Sequence, residues 1–244
     1  MRRKNKKKME KVLITGTSCG VGRAAAIKFL DQGYEVVGLD WKESTIVHSN
    51  YKHYVCDVGN KDELPNIKNI SYICNNAGIV TPKADAIRVN LEGYINVLET
   101  YGEDPCLKSI VQIGSTCVRK GYDNAPYNAS QGGRNSLTIW AANKYGRDPR
   151  HVLVNGLNLD GIVAADPEKG IQGTSLEPAL YEADGLMDKI KDLSILKRLA
   201  TVEEIAEWIY FLLVVNTLVT GQIIDVDGEL LGTFQFVTYP GWDD

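Results

Sequence analysis

Residues 11–22 read Lys11-Val12-Leu13-Ile14-Thr15-Gly16-Thr17-Ser18-Cys19-Gly20-Val21-Gly22. The apolar run Lys11–Thr15 ends in a glycine cluster. Positions 21–30 then place Ala24, Ala25, Ala26, Ile27 and Phe29 at spacings that suit a helix packed tightly on a sheet. Glycines between a strand and a helix permit a sharp turn and let the backbone approach a pyrophosphate, which then lies at the positive end of the helix. Gly16, Thr17, Ser18, Cys19, Gly20, Val21 and Gly22 are therefore candidate cofactor-binding positions. Such a string alone is weak evidence, because glycine-rich turns are common. Here it is answered by Asp40 at the end of the next apolar run, where a carboxylate would accept hydrogen bonds from an adenosine ribose. An acid at 40 repels a 2′-phosphate, and neighbouring Cys19 and Trp41 offer no arginine to hold one. NAD(H) is thus expected in preference to NADP(H).

Working outward, apolar runs at 34–40, 53–58, 71–74, 109–113, 151–157 and 222–226 read as further strands. Helical stretches lie near 84–101, 125–145 and 202–215, and Thr201 with Glu204 forms a capping box before the last. Strands alternating with helices imply an α/β fold, a doubly wound parallel sheet of about seven strands with helices on both faces. No composition break marks a second domain, so one unit is expected over 11–231. Two segments fall outside the rhythm. Residues 160–195 form a long Gly/Pro-bearing stretch, expected to be a substrate lid. Residues 232–244 form a tail with Phe234, Phe236, Tyr239 and Trp242, expected to pack in cis or on a neighbouring subunit.

The 244 residues are 44% hydrophobic and 24% charged, an ordinary globular composition that excludes a disordered or coiled-coil chain. Charge is unevenly placed: residues 1–11 carry a net +6, so an overall −4 leaves the body near −10. An acidic body argues against nucleic acid as the main partner. Residues 1–10 read as a basic, flexible, solvated leader, with contact to RNA or an anionic membrane as the other reading. No apolar h-region follows, so a signal peptide is not expected. The strongest apolar run, 208–215, is too short to span a bilayer. Five cysteines without CxxC spacing read as reduced cytoplasmic thiols, and His48, His53 and His151 form no metal-ligand pattern.

The glycine loop and Asp40 resemble the short-chain dehydrogenase/reductase family, and further motifs strengthen the likeness. Asn75-Asn76-Ala77-Gly78 resembles its NNAG element, with Asn76, Ala77 and Gly78 in the cofactor-binding set. Asp57-Val58 resembles the pair that meets the adenine ring. Asn90 stands where the family's helical asparagine sits, Ser115 ends a strand like its serine, and Tyr127 follows twelve residues later in Tyr127-Asn128-Ala129-Ser130-Gln131. Lys197-Arg198-Leu199-Ala200, Thr220-Gly221-Gln222 and Asp227-Gly228 resemble the C-terminal stretch of the classical branch. The resemblance implies a single Rossmann-like domain and a homodimer or homotetramer. It also implies hydride transfer between nicotinamide and a secondary alcohol or ketone. Ser115 would bind the substrate oxygen, Tyr127 would move its proton and Asn90 would hold a water of the relay, while Tyr127 and Gln131 also touch the cofactor.

The pattern breaks at Gln131, where the family's YxxxK motif has lysine. In the family that lysine binds the nicotinamide ribose and lowers the tyrosine's pKa. Positions 127 and 131 share a helical face, and an amide can both donate to and accept from a ribose, but it brings no charge. A cation ~4 Å away at an effective dielectric near 20 is worth roughly 4 kcal/mol, about 3 pH units as a generous limit. Without it a tyrosine titrates nearer ~10, which suits a proton donor better than a base and favours carbonyl reduction. Restoring lysine at 131 is expected to raise alcohol oxidation. Arg134, one turn on, reads first as a packing or surface residue and second as a source of charge. The Pro-Gly expected after the sixth strand is Leu159-Asp160, and Ala164 and Ala165 stand where a threonine is expected. These departures raise the alternative of a catalytically impaired dinucleotide-binding protein acting as a sensor or structural subunit. A redox-assisted isomerase or lyase is a third reading. Only 18 positions separate Asp57 from Asn75, so any helix between them must be brief.

Overall fold

Seven apolar runs do become strands, each of four to seven residues. The computed structural model describes residues 9–80, 85–121, 124–163, 191–192 and 194–228. The strands are β1 (Lys11–Thr15), β2 (Glu35–Asp40), β3 (Tyr51–Val55), β4 (Tyr72–Asn75), β5 (Ser109–Ser115), β6 (Leu153–Leu159) and β7 (Ile223–Val226). They form one sheet in the order β3-β2-β1-β4-β5-β6-β7, every pair parallel. The helices are α1 (Gly20–Asp31), α2 (Asp85–Ile87), α3 (Gly93–Tyr101), α4 (Cys117–Lys120), α5 (Ala125–Gly146) and α6 (Val202–Tyr210). A π-helical turn, Arg88–Glu92, joins α2 to α3, and another, Phe211–Val215, extends α6. Between Asp57 and Asn75 the described chain makes only a 3-10 turn, Lys61–Glu63, as the spacing required.

Alternation along the strands explains the two layers. Val12, Ile14, Val36, Val111, Ile113 and Leu157 face α1 and α6, meeting Ala25, Phe29, Ile205 and Ile209. Leu13, Val37, Ile73, Ile110 and Val154 face the other way, onto Val97, Leu98, Ala141 and Tyr145 of α3 and α5. This is the two-faced covering that near-continuous apolar strands demand. The small side chains of α1 allow it to lie close to the sheet.

Strand ends differ from the expectation. β3 begins at Tyr51 because Val36 pairs with Tyr51, and this edge strand is only partly buried, so hydropathy marks its ends poorly. β6 starts at Leu153, after a turn closed by His151 N–H on the Asp148 carbonyl (2.8 Å) with His151 at φ +52°. It runs on to Leu159, opposite Ser115. The expected leader (apart from its last two residues), most of the expected lid at 160–195 and the aromatic tail lie outside the described residues. Strand order reverses between β1 and β4, and the crevice outside the carboxyl ends of the strands at such a switch point is the usual ligand position in open α/β sheets.

Candidate active site

The glycine loop follows the carboxyl end of β1, at this switch point. Gly16 has φ +77°, a left-handed conformation that favours glycine. A Cβ on Gly22 would fall 2.0 Å from the Gly16 carbonyl oxygen, so no other residue fits the turn there. Cys19, the N-cap of α1, makes no side-chain cap bond, and the first turn of the helix carries no acid. The helix therefore presents backbone N–H groups without a competing side chain, a fitting place for a pyrophosphate. Asp40 is buried at the end of β2, its Oδ2 accepting from Ser18 N–H and its Oδ1 from Lys42 N–H, both at 2.9 Å. Each oxygen keeps a further lone pair for a ribose hydroxyl. Thr17 is buried and held by the Tyr51 hydroxyl (3.0 Å), which bonds His53 Nδ1 in turn. Ser18 Oγ–H donates to the Lys42 carbonyl (3.0 Å).

The adenine-side pair behaves less simply. Asp57 accepts from Arg88 Nη1 (2.7 Å) and from Gly59 N–H (2.8 Å), so its carboxylate is already anchored. Val58 is buried in the core under α3, its carbonyl accepting from Asn96.

The NNAG segment is tied to the glycine loop through Thr15. The buried Thr15 hydroxyl accepts from Asn76 N–H (2.9 Å) and Ala77 N–H (2.8 Å), and Asn76 Nδ2–H returns a bond to the Thr15 carbonyl (2.9 Å). Asn90 lies inside the π-helical turn and is fully buried. Its side chain grips Ile79 from both sides, Oδ1 accepting from Ile79 N–H (2.7 Å) and Nδ2–H donating to the Ile79 carbonyl (2.8 Å). It also reaches Ser130 Oγ (3.2 Å), which bonds the Tyr127 carbonyl (2.7 Å).

Ser115 closes β5, and its Oγ accepts from Cys117 N–H (3.2 Å), which leaves its own proton to donate. Tyr127 stands in the first turn of α5, whose N-cap, Asn124, accepts from Tyr127 N–H (3.1 Å). Gln131 is buried one turn on. Arg134, read first as packing or surface, is buried inside this cluster. Its Nε–H donates to the Asn90 carbonyl (2.7 Å), Nη1–H to the Ile113 carbonyl (2.9 Å) and Nη2–H to the Ala77 carbonyl (2.7 Å). A longer contact, 3.4 Å, runs from Nη1 to Gln131 Oε1. The guanidinium also stacks 3.7 Å above the Tyr94 ring. Burial lowers the Arg134 pKa, while the facing Tyr94, Tyr127 and Cys117 raise it. Burial likewise drives Tyr94 well above the ordinary phenol range. Beyond β6, Asp160 accepts from the Thr116 hydroxyl, joining the loops that follow β5 and β6. The role of Arg134 was signalled in the sequence only by its helical face; the Thr116–Asp160 and Arg88–Asp57 pairs had no local signal.

A family model described as enoyl-(acyl carrier protein) reductase matches residues 16–228. The chain belongs to the short-chain dehydrogenase/reductase family and is an oxidoreductase of the Rossmann-like, nicotinamide-cofactor type. It is 28% identical to the 3-oxoacyl-acyl-carrier-protein reductase of Thermotoga maritima, over 90% of this chain and 96% of that one. The ligand-free aldohexose dehydrogenase of Thermoplasma acidophilum is similar at 26% identity and a TM-score of 0.77, covering 95% of this chain and 97% of that chain. A structure of ElxO with NADP bound is alike in fold, with 20% identity, a TM-score of 0.78 and coverage of 92% and 99%. Among the described residues no group of His, Cys, Asp and Glu is arranged to hold a metal, and no helix is long and apolar enough to cross a membrane.

Proposed function

We propose that the protein is an NADH-dependent carbonyl reductase acting on a ketone, with the reverse oxidation of a secondary alcohol the slower direction. One observation carries this reading: a continuous set of hydrogen bonds runs from the glycine loop through Thr15, Asn76 and Ala77 to Arg134, Asn90 and Gln131, beside Ser115. A reduced nicotinamide bound in the crevice supplies the hydride. Ser115, its lone pair engaged by Cys117 N–H, directs its own O–H at the substrate carbonyl oxygen. As that oxygen gains charge, Tyr127 gives it the phenolic proton. Gln131, with Oε1 turned to Arg134, offers its two N–H donors to the nicotinamide ribose. Asn90 holds the loop at Ile79 and orients the start of α5 through Ser130.

The preference for NADH rests on Asp40, held at the end of β2 by two backbone N–H groups. Calorimetric titration of the purified protein with NADH and NADPH in parallel tests it: low-micromolar NADH binding and much weaker NADPH binding are expected, and the reverse order overturns the Asp40 reading. Tyr127→Phe should then abolish NADH consumption with a ketone substrate; unchanged turnover sinks the assignment of Tyr127. Exposed Ile139 and Trp140 on α5, with Trp208 on α6 and Phe211 just beyond it, support a homodimer or homotetramer. None of the five cysteines is in a disulfide, in keeping with a reducing compartment such as the cytoplasm.

A further inference from the structure

We infer that the Arg134 guanidinium takes over the charge of the absent lysine and the place of a relay water, bridging Gln131 to the Asn90 carbonyl so that Tyr127 faces a fixed buried cation. The inference rests on the reading of Tyr127 as the proton donor and goes beyond it by naming what tunes that donor.

Geometry carries the argument. Side chains on a helix lean toward its N-terminus, so an arginine three residues after 131 sends its head back under 131, and the 3.4 Å contact from Nη1 to Gln131 Oε1 shows that it has done so. The site is built around this group. A Cβ on Gly78 would fall 2.9 Å from Nη2, so the NNAG glycine is also the space that admits the guanidinium. Three backbone carbonyls from three different elements accept from it: Ala77 after β4, Asn90 in the π-helical turn and Ile113 in β5. None of the ion pairs among the described residues includes Arg134, so no carboxylate of those residues is paired with it. The titratable groups facing it are Tyr94 on α3, Cys117 on α4 and Tyr127 on α5; Cys74 of β4 faces Tyr94, and Asp160 faces Cys117. Arginine stays protonated throughout the working pH range.

Two consequences separate this arrangement from a lysine and a water. Asn90, which the resemblance gives the task of holding a relay water, has its backbone carbonyl occupied by Nε–H of Arg134, and a group that never gives up its proton cannot pass one on. The charge is also spread over a guanidinium shared among three backbone carbonyls, so its effect on the phenol is expected to be partial and reduction remains the favoured direction.

The test is a pH titration of the full chain labelled with ¹³C in the tyrosine ring, read by NMR, in which the resonance lost in Tyr127→Phe identifies Tyr127. In the parent protein Tyr127 should titrate below the ordinary ~10 of a free phenol. Arg134→Gln should raise it by about one pH unit, a tenfold change in ionised fraction. Arg134→Lys should keep it near the parent value while lowering thermal stability, since an ammonium preserves charge but not the fork of carbonyl bonds. Gln131→Lys in the Arg134→Gln background should bring the value back down, although a lysine at 131 cannot remake those bonds. A parent value at or above ~10 overturns the inference, a result that needs no Arg134 variant and only the near-isosteric Tyr127→Phe protein for the assignment. So does an Arg134→Gln protein whose Tyr127 titrates unchanged, or an Arg134→Lys protein that behaves like Arg134→Gln. If Tyr127→Phe still reduces a ketone with NADH, the proton-donor reading fails while the titration result stands, so the two failures are distinguishable.

Discussion

Gln131 and Arg134 exchange a charge between neighbouring turns of α5, and single residues there have opposite meanings in isolation and in place. From the family pattern, Gln131→Lys is expected to raise alcohol oxidation. With a buried guanidinium 3.4 Å from Gln131 Oε1, the same substitution sets two cations side by side in a site without a carboxylate among the described ion pairs. Like charges at about 4 Å cost up to roughly 4 kcal/mol at an effective dielectric of 20. The expected outcome is a melting temperature lower by roughly 5 °C or more and no gain in oxidation. Differential scanning fluorimetry with a pH–rate profile checks both, and a stable, faster oxidase contradicts the placement of Arg134. At Asp40 the carboxylate is fixed at the end of β2 by the backbone N–H groups of Ser18 and Lys42. Asp40→Ser should weaken NADH binding about tenfold or more and narrow the gap to NADPH, since the acid both accepts from the ribose and repels a 2′-phosphate. Equal affinity for NADH before and after, by calorimetry, would remove Asp40 from the site.

The elements themselves were legible wherever a pattern repeats along the chain. The capping box at α6 is formed in both directions: Thr201 Oγ1 accepts from Glu204 N–H (3.2 Å) and Glu204 Oε2 accepts from Thr201 N–H (3.0 Å). Thr201→Ala should cost about 1 kcal/mol, lowering the melting temperature by roughly 2–4 °C in a chain of this size. Arg198 first, then the Thr201 backbone, holds the Glu204 carboxyl below its usual range. A depressed carboxylate stabilises the fold above its unfolded pKa, about 4.3, and that contribution is lost as pH falls through the lower folded value. Glu204→Gln should therefore flatten the acid side of the stability curve, and an unchanged acid midpoint contradicts the pairing. The π-helical turn Arg88–Glu92 was not legible. It widens one turn by a single residue to carry Asn90 inward, and no composition or periodicity marks so small an insertion. The strand ends at β3 and β6 were missed for a related reason, because turns and ladder partners set them while apolar content only locates the middle.

Across the whole molecule the five thiols report both fold and site. Cys19 and Cys106 are exposed, whereas Cys56, Cys74 and Cys117 are buried. Burial pushes the Cys56 thiol up to about 11 and Cys74 to about 12, so neither offers thiolate at pH 8. Mass spectrometry after brief alkylation at pH 8 should find two labels on the native protein and five after unfolding. Because Cys19 lies in the glycine loop, saturating NADH should protect it and leave Cys106 as the labelled site. Undiminished labelling of Cys19 with NADH present contradicts a cofactor at that loop.

Asn90, Ser115 and Tyr127 were singled out by the family resemblance, whereas the order of strand and helix and the glycine turn were readable from the chain alone. Each is a local matter: hydrophobic period, backbone freedom or spacing along one element reports it, and neighbours in sequence suffice. What α5 presents to the active site was decided only in three dimensions. Whether Arg134 meets water or three carbonyls depends on Ala77, Asn90 and Ile113, which are 57, 44 and 21 residues away in sequence. A long side chain near the end of a motif reads the same in both cases. Only the packing of β4, β5 and the π-helical turn around it removes the water and makes the cation part of the site.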